Sequence, residues 1–132
     1  MVIYYKQRQA DAKLEFIKAK LVAERKAYDE LHAAAILYYY TLAKLETGKL
    51  RPDLVTKADD AMLAGCRYSA FIPKVDRDIW MCLWQAARAL GEKAQHVVDP
   101  QQQKQLWEED IKSISTPMEK FSNAVVDAHQ RD

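Results

Sequence analysis

Glycine is scarce in these 132 residues, with three copies, and proline is held to four. So few backbone breakers exclude the closely spaced turns of a β-sandwich or barrel, and no stretch alternates apolar and polar residues over strand length. Only two cysteines are present, Cys66 and Cys82, too few for a disulfide scaffold and spaced as neither a CxxC redox pair nor a zinc-ligand pair. Both are expected to be free, buried thiols in a reducing cytosol, which sets the expected location as cytoplasmic. No apolar run approaches the roughly 20 residues that cross a bilayer, and no charged segment leads into the apolar core of a signal peptide. Charge of one sign is not in excess either. Twenty Lys plus Arg against 19 Asp plus Glu leave a net +1, which argues against a protein built to neutralise a nucleic-acid backbone.

Hydrophobic residues make up 49% of the chain and charged residues 30%, a balance that excludes low-complexity disorder. The length fits one domain, residues 1–132, with a core of its own.

Punctuation divides the chain into four helical stretches. The first runs over residues 5–46 without Pro or Gly, and Gly48 follows as a left-handed stop. Its apolar positions are Leu14, Ile17, Leu21, Tyr28, Leu31, Ala35, Tyr38, Leu42 and Leu45, in steps of three and four with Glu24 as the one polar interruption. That is a heptad seam sustained over more than four heptads, the pattern of a coiled coil. The half around Ala33-Ala34-Ala35-Ile36-Leu37-Tyr38-Tyr39-Tyr40 is apolar all round and is expected inside a bundle.

Pro52 opens a second helix whose seam of Leu54, Ala58, Ala61, Gly65, Tyr68 and Ile72 ends at Pro73. Its small residues suit close packing against Tyr38 to Tyr40. Asp76 is the expected N-cap of a third helix, with Trp80, Leu83, Ala87, Leu90, Ala94 and Val97 in phase and Gly91 as a weak point. Asp99-Pro100 opens a fourth, where Trp107, Ile111, Ile114, Met118, Phe121, Val125 and Ala128 keep phase through Pro117, so a kinked but continuous helix is expected. Short connections make neighbours antiparallel, and the fold class is all-α, an up-down four-helix bundle. The second and third helices are too short to cover the first, whose N-terminal end, residues 1–15, is expected to project.

Chemistry finds little purchase in this pattern. A di-iron bundle needs two acidic-x-x-His motifs, whereas Asp29-x-x-His32 is the single match and His96 and His129 lack the spacing. No Ser-His or Cys-His pair is placed by local spacing, and no glycine-rich phosphate loop exists. The expectation is therefore no enzyme, no cofactor and no metal. An alternative function uses the aromatic interior, Tyr38, Tyr39, Tyr40, Tyr68, Phe71, Trp80, Trp84 and Trp107, to hold a small apolar ligand.

Charge is unevenly spread although the total is small. Residues 6–26, from Lys6 to Lys26, hold seven basic and three acidic side chains, and residues 99–132 hold four basic and seven acidic. Pairing between these two segments inside the bundle is expected; contact with anionic lipid heads or an acidic partner is the alternative. Val2-Ile3-Tyr4-Tyr5 followed by Lys6-Gln7-Arg8 also has the order of a membrane helix meeting the cytoplasm, which would place the chain at the cytoplasmic side of a membrane.

Tyr4-Tyr5-Lys6-Gln7-Arg8, with Lys13-Leu14-Glu15-Phe16, the 64–73 segment ending Phe71-Ile72-Pro73, and the 79–84 segment ending in Trp84, resemble a loose group of uncharacterised bacterial proteins. In that group one N-terminal membrane helix precedes a small helical cytoplasmic domain. The resemblance implies the helical architecture and no known activity, and the group's membrane helix has no counterpart in these 132 residues.

The reading that follows is a non-enzymatic protein–protein interaction or oligomerisation module, of a membrane-anchored or phage-related assembly. A homo-oligomer is the expected state and nucleic acid is not an expected partner. Its candidate interface residues are Leu14, Ile17, Leu21 and Tyr28 on the seam, with Trp84 as an off-seam anchor if exposed.

Overall fold

The computed structural model describes residues 2–131, with side chains from Tyr4 onward. Met1, the side chains of Val2 and Ile3 at the start of the expected projecting end, and Asp132 lie outside the described residues. The elements are α1 (Val2–Ala43), α2 (Pro52–Gly65), α3 (Lys74–Ala94) and α4 (Pro100–Gln130). Short 3₁₀ segments extend α1 over Lys44–Thr47 and α2 over Cys66–Phe71. The described residues contain no strand. The four helices form an antiparallel up-down bundle, with α1 against α2, α3 and α4, and α3 against α4.

Gly48 stops the first helix as its type predicts: at φ 70° its N–H bonds to the Leu45 carbonyl at 3.0 Å, closing the last turn. Pro52 begins α2 at the position where a missing N–H costs nothing. The second helix departs from the expected run to Ile72. It tightens to 3₁₀ after Gly65, and Ile72 is extended because the residue before a proline is pushed out of the helical region. The carbonyls freed there are taken up by Arg77, whose guanidinium donates to Ser69 O at 2.9 Å and Ile72 O at 3.1 Å.

The third helix starts earlier than expected, at Lys74 with Pro73 as its cap. Asp76 is thus not an N-cap; it sits in the first turn with its carboxylate free to accept from Tyr28. Asp99 does cap α4, accepting from the Gln102 N–H at 3.1 Å. The fourth helix runs through Pro117 as one element, and α3 runs through Gly91.

The expected seam of α3 is buried as far as Ala94, with Val97 beyond the helix end, and that of α4 is buried apart from the partly covered Ile111 and Met118; Trp80, Leu83 and Leu90 share the core with Ile114 and Phe121. Gln103 is the polar exception. Its buried amide accepts from Leu50 N–H at 3.1 Å and donates to Leu50 O at 2.9 Å and Val97 O at 3.0 Å, tying the α1–α2 link to the α3–α4 link. The apolar run of α1 is less enclosed than its sequence implies. Tyr38 is buried, but Leu37 and Tyr40 face outward, because 3.6 residues per turn put them beyond the reach of three neighbours.

Candidate interaction surface

A single heptad register describes the whole of α1. With Leu14 at position a, residues 14, 21, 28, 35 and 42 share one row, and residues 17, 24, 31, 38 and 45 share the next. The C-terminal part of both rows is core: Tyr28, Leu31, Ala35, Tyr38, Leu42 and Leu45 are each at most 2% exposed. The N-terminal part is not. Leu14 is 51% exposed, Ile17 53% and Leu21 36%, and every residue over 4–22 is exposed. At 1.5 Å per residue this free segment extends roughly 28 Å past its bundle contacts, further than the expected fifteen residues.

Polar contacts hold α1 where it leaves the bundle. The Tyr28 hydroxyl donates to Asp76 of α3, and burial together with that carboxylate pushes the phenol pKa upward. The Arg131 guanidinium stands 3.8 Å from the same carboxylate, while Arg25 donates to the Arg131 carbonyl at 2.7 Å. His129 Nε2 meets Asp29 at 2.6 Å. Above this ring His32 Nε2 lies 3.0 Å from Ser122 Oγ, and burial pushes its pKa down. Together they fix the direction in which the free segment points. Sequence reasoning missed these contacts, since Arg131 and Asp76 meet Arg25 and Tyr28 only once α3 and α4 have their final lengths.

Of the five candidate interface residues, the structure brings Leu14, Ile17 and Leu21 together on one exposed stripe. Tyr28 is removed from the interface: it is wholly buried, because α1 is already covered at that turn. Trp84 is not an exposed anchor but half-buried, its ring 5.4 Å from that of Trp80. The indole N–H groups of Trp80 and Trp84 are both buried without a hydrogen-bond partner among the described residues.

The expected internal charge pairing is not formed among the described residues. None of the seven basic side chains of residues 6–26 forms an ion pair among the described residues, because α4 ends beside Arg25 and leaves the rest of the segment without a neighbour. Locally, Arg8 lies over the Tyr4 ring at 5.8 Å and Gln9 donates to the Tyr5 hydroxyl.

The aromatic interior is filled by its own side chains. The cavity beside Tyr38, Tyr39, Met62 and Leu83 holds about 10 Å³, where a small-molecule site needs a few hundred. Tyr39 packs edge-on to Trp107 at 6.0 Å, and Tyr40 and Phe71 face outward. A larger hollow of about 420 Å³ lies on the surface between α3 and α4, over Ile79, Cys82, Ala86 and Pro117. Cys82 is therefore exposed rather than buried, and Cys66 is half-buried. The described residues hold no cluster of three or more His, Cys, Asp or Glu side chains arranged for a metal, and no helix among them is long and apolar enough to cross a membrane.

No family model matches the chain, and neither does any curated protein or solved structure.

Proposed function

We propose that the chain is a non-enzymatic protein–protein interaction module in which the N-terminal half of α1 is the docking helix. One observation carries this reading: a continuous heptad seam is core over residues 28–45 and bare over residues 14–21. Three large aliphatic side chains, 36–53% exposed on one stripe, forgo about half of the roughly 1.5–3 kcal/mol that full burial of each contributes, and a partner helix recovers it. The filled interior works against the alternative of a ligand-binding core.

The test is the triple variant Leu14→Gln, Ile17→Gln, Leu21→Gln, chosen to keep helix propensity. Thermal unfolding is expected to stay within about 1 kcal/mol of wild type, because Leu14 and Ile17 lie beyond the bundle and Leu21 only borders its edge beside Tyr28, Ala128 and Arg131. A synthetic three-heptad amphipathic helix with Leu and Ile at a and d is expected to bind the wild-type chain and to lose that binding in the variant. Equal binding by the two chains would overturn the assignment.

A further inference from the structure

The flanks of the exposed seam carry information about what covers it. In the register set by Leu14 and Leu21 at a and Ile17 at d, the g positions are Lys6, Lys13 and Lys20, and the e positions are Asp11, Lys18 and Arg25. These are the positions that face a coiled-coil partner's own e and g residues and choose between partners. Five of the six are basic, and none is engaged in an ion pair among the described residues.

A second copy is a poor occupant on these charges. Paired in parallel, Lys13 of one copy faces Lys18 of the other and Lys20 faces Arg25, leaving only Lys6 with Asp11 as an attractive pair. Paired antiparallel, the three g lysines face one another. Like charges across a helix pair repel by amounts comparable to the gain from opposite ones, so the same flank that rejects a copy selects a partner of opposite sign.

An anionic membrane surface is the other negatively charged candidate, and the segment's apolar pattern disfavours it. A helix lying in a lipid interface has one apolar face opposite one basic face. Here Tyr5 and Phe16, 64% and 72% exposed, fall on the side of the helix away from Leu14, Ile17 and Leu21, so laying either face in lipid leaves bulky aromatic or aliphatic groups in water.

We infer that the free half of α1 docks an acidic amphipathic helix, with leucine or isoleucine at a and d and glutamate or aspartate at e and g, in a heterotypic coiled coil. This rests on the docking role proposed above and names its partner's chemistry. Attraction at the flanks makes the complex weaken as salt rises.

The experiment titrates the full chain with two synthetic three-heptad peptides that share Leu and Ile at a and d. One carries Glu at e and g, the other Lys, and both are read by fluorescence anisotropy at low and high salt. The Glu peptide is expected to bind at least about tenfold more tightly than the Lys peptide, to weaken with salt, and to lose binding to the triple Gln variant. Equal affinity for the two peptides, a stable dimer of the chain alone at low salt, or stronger partition onto phosphatidylserine vesicles than onto the Glu peptide would each overturn the acidic-helix assignment. The first two of those outcomes leave the docking stripe standing. Glu-peptide binding that survives unchanged in the triple variant would remove the stripe itself.

Discussion

Gly91 of α3 lies directly beneath the phenol of Tyr38 in α1. A Cβ at this position would overlap the Tyr38 hydroxyl and come within 3.2 Å of Val55 Cγ1. Helix propensity alone favours alanine over glycine here by about 1 kcal/mol. The packing reverses the sign: Gly91→Ala is expected to destabilise the bundle by about 1–3 kcal/mol, the usual range for a forced shift in a close-packed core. Thermal or urea unfolding reads the change, and a stabilised variant would contradict the close approach.

Tyr28→Phe is expected to cost about 2 kcal/mol, since it removes a hydrogen bond to a charged acceptor and leaves Asp76 with Arg131 alone at 3.8 Å. The same variant should leave Glu-peptide binding unchanged, because Tyr28 is core and not interface. Unfolding midpoints and the peptide titration measured on one preparation separate the two effects.

Gln103→Leu tests the polar tie across the two links. Its amide makes three hydrogen bonds in a buried setting, and an apolar replacement strands the Leu50 N–H and two carbonyls. A loss of about 2–4 kcal/mol is expected, with the loosening read by faster amide exchange near Leu50 and Val97.

His32 gives the fold a pH dependence of defined sign. Burial holds its pKa below the ordinary value near 6.5, with Asp29 opposing the shift and the Phe121 ring and Ser122 filling the other sides. Below about pH 6.5 the unfolded chain binds a proton that the folded chain resists, so this contribution to stability is complete above that pH and is lost as pH falls through the window beneath it. The unfolding midpoint of wild type relative to that of His32→Asn should fall towards acid pH across that window. Parallel curves would contradict the burial argument.

The sequence made the four helices and most of their buried faces legible, because Leu83, Leu90, Ile114 and Phe121 recur at helical spacing and Gly48, Pro52 and Asp99 mark boundaries by local chemistry. Register along α1 was legible for the same reason. What stayed hidden depended on three-dimensional neighbours. Asp76 reads as a cap until Tyr28 is brought to it, and Gly91 reads as a defect until Tyr38 is placed over it. Tyr28 is indistinguishable from Leu14 by heptad position, and only the reach of α3 and α4 decides that one is core and the other bare. The unpaired state of the basic segment likewise follows from where α4 ends.

Amide hydrogen exchange along α1, in dilute solution with and without the Glu peptide, tests most directly whether one seam serves both folding and docking. An isolated helical segment without tertiary cover is marginal in water, whereas amides under the bundle open only with larger units. The account predicts fast exchange over residues 4–22 and slow exchange over residues 28–43 in the free chain, with the fast segment becoming protected when the peptide is added. Uniform protection of α1 in the free monomer, or a fast segment that the peptide leaves unprotected, would contradict it.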